Sequence, residues 1–282
     1  LPATTGLGFF GLGIAIALIA GGLFSSTLHL GRPERFLNAF SQWRSSWLSR
    51  EAVFSVLAFI PAGVLGIGWV FFNAASPLMS WMGGASALFA AATVASTGMI
   101  YATLPPIRQW HNGLVVPAYL ILGLATGAVL LVALTQIFGA FRPIFGWLAF
   151  GSLAAAWLTK AAYWRIIDAE RPRSDLASAT GLGHLGSVRL LEQPHTEANF
   201  LMQEMGFQVA RKHARKLRLI THLALFAAPL LLMLIAAAAG EAGAILASVL
   251  AVVSAGAGVV TERWLFFAEA THASMIYYGR TA

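Results

Sequence analysis

Long apolar stretches separated by short polar connections set the pattern of this chain. Seven of them reach the roughly 20 residues that an α-helix needs to cross a hydrocarbon layer. They are 7–28, 53–72, 81–101, 114–138, 144–163, 219–239 and 244–267. Apolar and polar positions do not alternate within them, and Ala, Leu and Gly dominate, which predicts helices and argues against barrel strands. The expected fold class is all-α: a polytopic transmembrane bundle forming a single integral membrane domain over 1–282, with one long polar loop at 166–218. Eight of the nine tryptophans fall at the ends of the segments or in loops, Trp157 being the exception. An interfacial aromatic belt predicts that distribution.

The connections differ sharply in charge. The first carries Arg32, Arg35, Arg44 and Arg50, and the second, 73–80, has no Lys or Arg. Arg108 follows, then Arg142, then nine basic residues from Arg165 to Arg218, then a connection with none, and finally Arg280. Alternate loops therefore collect nearly all the loop cations on one side, and the positive-inside rule makes that side cytoplasmic. Leu1 then lies outside. A helix preceding it would give eight spans with both termini cytoplasmic, the topology of a multi-pass protein of the bacterial inner membrane.

Composition narrows the chemistry. Of 282 residues 58% are hydrophobic and only 10% charged, against about a quarter charged in soluble chains. The net charge of +7 reads as topology and attraction to anionic lipid, with no nucleic acid required. With no cysteine, the chain can hold no disulfide, thiolate-bound iron–sulfur cluster or covalent haem. Redox centres, if any serve it, belong to partners or to a bound small molecule.

All seven histidines (His29, His111, His184, His195, His213, His222 and His272) fall on or near the basic side. A two-haem cytochrome needs axial ligands at two depths, so haem is not expected, although one haem on two of His29, His222 and His272 stays open. The first loop, SSTLHLGRPERFLNAFSQWRSSWLSRE, supports two readings of equal weight. In one, Gly31 and Pro33 end a helix whose negative pole attracts His29 and the arginines. In the other, His29 exchanges protons with a quinone while Arg32 or Arg35 steadies its reduced, anionic form.

HLGRPERF, SQWRSSWLSREAVF, MIYATLPPIRQWHN, ATGLGHLGSVRLLEQPHTEANFLMQEMGF and ARKHARKLR together resemble the membrane-anchor subunit of the dimethyl sulfoxide reductase family of molybdenum oxidoreductases. The resemblance covers nearly the whole chain, and His29-Leu30-Gly31 followed by Pro33 is its sharpest mark. It implies eight helices, a bound quinone (ubiquinone or menaquinone) without haem or covalent cofactor, and two partners: a four-cluster iron–sulfur subunit and a molybdopterin catalytic subunit. It also implies that the family's functional histidine falls on His29. Within the family, the basic His29 side and the long basic loop resemble the branch that oxidises sulfite in the cytoplasm and reduces quinone. The alternative is a menaquinol-oxidising anchor of the dimethyl sulfoxide reductase type.

The long loop opens on a charged connection around Pro172, and its Gly-punctuated 180–194 stretch suits a small hairpin. GLGHLG there follows no strand–helix unit and is no dinucleotide fingerprint. From Thr196, an N-cap with Glu197 behind it, Leu201, Met205 and Val209 define an amphipathic helix whose basic end, 211–218, would lie along lipid headgroups. The same face also reads as a docking platform, with Arg44, Arg50, Arg211, Lys212 and Arg215 meeting the iron–sulfur partner.

Four ionisable residues are expected inside the membrane: Lys160, Glu262, Arg263 and Glu269. Such residues are functional candidates by default because they are costly in lipid. Glu262 and Glu269 are proton-path candidates, Arg263 suits an interhelix salt bridge, and Lys160 suits snorkelling. Glu262 and Arg263, adjacent and so about 100° apart on a helix, should need separate partners. A transporter would want internal repeats and a midplane charge pair, and neither is visible. A passive tether for soluble subunits remains a third possibility.

Overall fold

The computed structural model describes residues 4–28, 32–72, 74, 76–170, 175–192 and 211–278. Among these residues seven helices are long and apolar enough to cross a membrane: α1 (Thr5–Leu28), α2 (Trp47–Phe72), α3 (Pro77–Ala102), α4 (Val115–Ile137), α5 (Pro143–Ala169), α6 (Ala214–Ala238) and α7 (Glu241–Ala268). Among the described residues no strand forms, and one isolated antiparallel bridge joins Ile107 to His272. Most of the helices extend past one or both limits of their apolar stretches, whereas α4 lies just inside its own. Prolines open α3 and α5 at their first turn, where the missing N–H has no partner to lose. Between α4 and α5, Gly139 takes φ +63°. Its N–H donates to Gln136 O and that of Ala140 to Thr135 O, a Schellman ending that only glycine adopts without strain.

Three antiparallel hairpins, α2–α3, α4–α5 and α6–α7, make up the bundle, with α4 packed on α7 and on α3. The apolar core lies among α4, α5, α6 and α7, around Leu122, Val129, Leu153, Leu225, Phe226 and Ala251. Helix α3 joins it through Gly98, whose missing side chain admits Val116 and Tyr119 of α4. Helix α1 rests Gly8 against the Trp69 ring of α2.

Within α6, His222–Ala227 is a π-helical turn. Pro229 explains it: the ring has no N–H and clashes with the carbonyl one turn back, so the helix widens and Ala228 N–H reaches Leu223 O. Helix α7 closes on this turn. Gly258 lies where any side chain would collide with Leu225 backbone, its ideal Cβ falling 2.6 Å from Leu225 Cα. Ser254 Oγ donates to Ala224 O at 2.8 Å, satisfying a carbonyl the π turn frees.

The long loop departs from expectation. Helix α5 runs on to Ala169 and α6 starts at Ala214, so the connection is shorter than 166–218. Its described part holds a short helix, Leu176–Thr180, capped by Asp175, and a 3-10 turn, Gly183–Leu185. Over the described part of the expected hairpin, 180–192, there is a 3-10 turn and no strand; the short helix lies just before it, where Asp175 and Ser178 form a reciprocal capping box and Gly181 at φ +68° ends the helix. The amphipathic segment from Thr196 through Val209 lies outside the described residues, as do His29, Gly31, His195 and Arg280.

Candidate functional site

At the basic end of the bundle, the 103–114 connection and the 269–278 segment fold over the helix ends and lock together. Trp110 Nε1 donates to Phe266 O at 2.9 Å, and Tyr163 Oη donates to Gln109 O at 2.9 Å. Gln109 Oε1 in turn accepts from Thr271 N, and Ala273 N donates to Pro106 O. The 103–114 connection and the 269–278 tail thus form a plug, with Met275 and Ile276 buried in it.

Beneath the plug sits a buried ionic cluster. Lys160 of α5 and Glu262 of α7 are 1% and 0% exposed, with Lys160 Nζ 2.5 Å from Glu262 Oε1. Arg263 Nε reaches the other oxygen, Oε2, also at 2.5 Å. Two cations share one carboxylate, leaving one positive charge in excess. Aromatic rings surround them. Lys160 Nζ lies 3.9 Å from the Tyr163 centroid and 4.8 Å from that of Trp164. Arg263 Cζ lies 4.2 Å from Tyr119 and 4.9 Å from Phe266. Such faces attract cations, and the i, i+3, i+4 spacing of Lys160, Tyr163 and Trp164 puts all three on one side of α5.

Three sequence expectations fail here, the first being an interhelix salt bridge for Arg263, whose ion pair among the described residues is with Glu262 of its own helix. Lys160 does not snorkel: a carboxylate from the neighbouring helix meets it inside the bundle, so the stem has no reason to climb to water. Glu262 and Arg263 do not take separate partners, because the flexible guanidinium curls back onto the preceding carboxylate. Lys160–Glu262 is the interhelix pair, about 9 Å inside the end of α7 at 1.5 Å per residue. The tryptophan expectation also needs correcting. Trp81 and Trp147 are exposed as belt residues, but Trp110 and Trp164 are buried in this cluster.

A second triad lies nearer the surface. Arg218 of α6 bonds Asp168 of α5 at 2.6 and 3.0 Å and Glu269 beyond α7 at 2.7 Å. One cation between two carboxylates carries one negative charge in excess, the complement of the buried triad. Arg211 donates from Nε to Ala268 O at 2.9 Å and from Nη2 to Ala270 O at 2.7 Å. The basic end of the 211–218 stretch is thus partly turned inward, capping α7, while Lys212 and Arg215 stay exposed.

The first loop is a 3-10 helix, Pro33–Phe40, with Arg32 and Arg35 exposed at its start. Neither makes an ion pair among the described residues. Arg50 bonds the carbonyls of Trp43 and Arg44 and stacks 4.2 Å from Trp47, so it shapes the loop, whereas Arg44 is exposed.

Three features of the site are not legible in the sequence pattern. Glu51 lies inside the first turns of α2, half-buried, accepting from Thr97 Oγ1 of α3 at 2.7 Å. The apolar stretch that marks this span starts only at Val53, which leaves Glu51 outside it. Tyr101 lies within electrostatic reach of both Glu51 and Arg263. His222, in the π turn, accepts at Nδ1 from Trp157 Nε1 at 2.8 Å and packs edge-on to Trp164, so its remaining proton sits on Nε2. It stands in the sequence as one of three haem-ligand candidates, but nothing there pairs it with Trp157.

Fold and site together define a multi-pass helical membrane protein that keeps a charged, aromatic-walled cluster at one end of its bundle. A family model described as DMSO reductase anchor subunit (DmsC) matches residues 10–269. The chain belongs to that family: it is a DmsC-like membrane anchor of a molybdopterin oxidoreductase complex. It is also 30% identical over 289 residues to a sulfite dehydrogenase subunit of Allochromatium vinosum, a similarity spanning 97% of this chain and 87% of the relative. No solved structure matches the chain.

Proposed function

We propose that this subunit is the quinone-reactive anchor of its complex, passing electrons from an iron–sulfur partner to the quinone pool during cytoplasmic sulfite oxidation. The observation that carries the reading is the buried triad with one positive charge in excess, at the end of the bundle that also bears the basic loops. A quinone taking up two electrons and two protons acquires negative charge before it is neutralised, and a fixed cation there favours that step. The residues present fit such a ligand. Arg263 Nη2 and Trp164 Nε1 are buried donors without a partner among the described residues, and aromatic rings supply flat walls. The direction of electron flow and the substrate are supported by the name of the Allochromatium relative. The orientation is supported by the loop cations.

In this reading His29 donates a proton to the quinone and Arg32 or Arg35 guides it at the membrane surface. Glu269, with one oxygen engaged, by Arg218, among the described residues, is the better proton-path candidate. Both oxygens of Glu262 are engaged, which suits a fixed counter-charge. Lys212, Arg215 and Arg44 offer exposed cations to the iron–sulfur partner, and Arg211 and Arg50 hold that platform in shape. Beyond it the molybdopterin subunit would oxidise the substrate.

The test is a paired assay on membranes containing the whole complex. Proton transfer from a positioned side chain is worth ~10²–10⁴-fold. His29→Ala should lower quinone-linked turnover by that order and leave substrate oxidation with an artificial dye unchanged. Loss of both activities would make His29 a helix cap needed for assembly. Retention of both would move the quinone site away from it.

A further inference from the structure

We infer that Arg263 is a quinone-binding residue, its Nη2 donating a hydrogen bond to a quinone carbonyl; the inference rests on the quinone-reactive reading above. Four observations converge on this atom. The guanidinium is fixed in place, with Nε held by Glu262 Oε2 at 2.5 Å. Its plane is flanked by Tyr119 at 4.2 Å and Phe266 at 4.9 Å. Nη2 is buried and has no hydrogen-bond partner among the described residues, a costly state for a charged donor inside a bundle unless a ligand completes it. The side chain as a whole is 26% exposed, so the cluster is open at Arg263 although it is closed at Lys160 and Glu262.

Charge favours the same assignment. Lys160 alone would neutralise Glu262, so the fold does not need Arg263 to balance that carboxylate. The second cation is surplus to the pair and free to serve a ligand that gains electron density. A quinone ring entering from the lipid would meet the half-buried Tyr119, with buried Phe266 backing the guanidinium, and its carbonyl oxygen, an acceptor, would meet a preset donor. The loop arginines, exposed at the membrane surface, offer no such fixed geometry. A phospholipid headgroup could use the same donor, but it would gain nothing from the flanking rings.

The experiment uses the intact complex purified in mild detergent. A short-chain benzoquinone is titrated and its binding followed by quenching of tryptophan fluorescence, alongside quinone-linked and dye-linked turnover. Arg263→Gln leaves the neutral Lys160–Glu262 pair intact, so the complex should assemble. Binding should weaken about 10-fold or more, the scale of a hydrogen bond from a charged donor, with dye-linked turnover unchanged. Arg263→Lys keeps the charge and loses the planar fork, and should fall between the two. Unchanged quinone affinity in both variants, with the wild-type complex binding quinone, would overturn the inference and leave the broader function standing. So would loss of a copurified phospholipid from Arg263→Gln with quinone affinity intact. A wild-type complex that binds no quinone would instead overturn the functional reading itself.

Discussion

Helices α1 and α4 are almost equally apolar, with mean hydropathies of 2.2 and 2.3 over their most apolar windows, yet 11% of one window and 39% of the other is buried. The contrast extends to the halves of the molecule. The α4–α7 half holds the apolar core, the ionic triads, the π turn and its close helix contact. The α1–α3 half packs on it through a few glycines, and α3 buries none of its most apolar window. In a bilayer, hydropathy measures transfer into lipid and says nothing about which helices meet, because lipid tails are as apolar as leucine. What distinguishes the halves is small and polar chemistry: glycine against backbone, serine against a freed carbonyl, lysine against glutamate.

The largest expected effect tests that distinction at its charged centre. Glu262→Gln leaves Lys160 and Arg263 facing each other without a carboxylate. Removing one side of a buried ion pair costs roughly 3–5 kcal/mol, so the subunit should fail to accumulate in membranes. Lys160→Met should be milder, since Glu262 and Arg263 still match. In the other half, Glu51→Gln removes a carboxylate with a single hydroxyl partner and should lower stability by about 1 kcal/mol. Equal accumulation of Glu262→Gln and Glu51→Gln, measured by quantitative immunoblot, would erase the proposed difference between the halves.

Backbone contact gives the next effect. Gly258→Ala drives a methyl into Leu225 backbone, which cannot yield as a flexible side chain would. Overpacking of this kind costs ~1–3 kcal/mol or more, and should lower the thermal transition of the purified complex. Gly63→Ala in α2 meets open space and should be neutral or stabilising by up to about 1 kcal/mol. A lower transition for Gly63→Ala than for Gly258→Ala would reverse the assignment of core and periphery.

The number, class and rough limits of the helices are legible in the sequence because membrane crossing is a one-dimensional property of length and apolarity. So is the gathering of His and Arg at one end, since topology follows from alternate loops. The pairings are not. Nothing in sequence spacing says that Lys160 on α5 faces Glu262 on α7, and an isolated lysine near a helix end reads as snorkelling. The expectation of different partners for Glu262 and Arg263 fails because the 100° rule concerns Cα positions, and a long arginine can fold back over that angle. Glu51 is hidden because a carboxylate inside a helix interrupts the apolar run that marks the span. The Gly-rich 180–194 stretch misleads because glycine ends short helices as readily as it turns hairpins.

The smallest effect separates a bond between helices from one within a helix. Ser254 Oγ reaches across from α7 to Ala224 O on α6 at 2.8 Å, where the π turn leaves a carbonyl short of its usual partner. Ser86 Oγ bonds Met82 O four residues back in α3, a carbonyl the helix can satisfy with its own backbone. Interhelix side-chain hydrogen bonds in membranes average about 0.6 kcal/mol and reach about 1.7, so Ser254→Ala should lower the thermal transition slightly. Ser86→Ala should leave it unchanged, because the lost bond duplicates one the ladder already makes. The π turn sharpens the expectation further. Pro229→Ala restores the N–H that α6 lacks, lets the turn relax toward α-helix, and removes the need for Ser254, so Ser254→Ala should cost nothing in a Pro229→Ala background. An undiminished cost there would mean that Ser254 acts through packing against α6, and that the π turn owes its shape to something other than the proline.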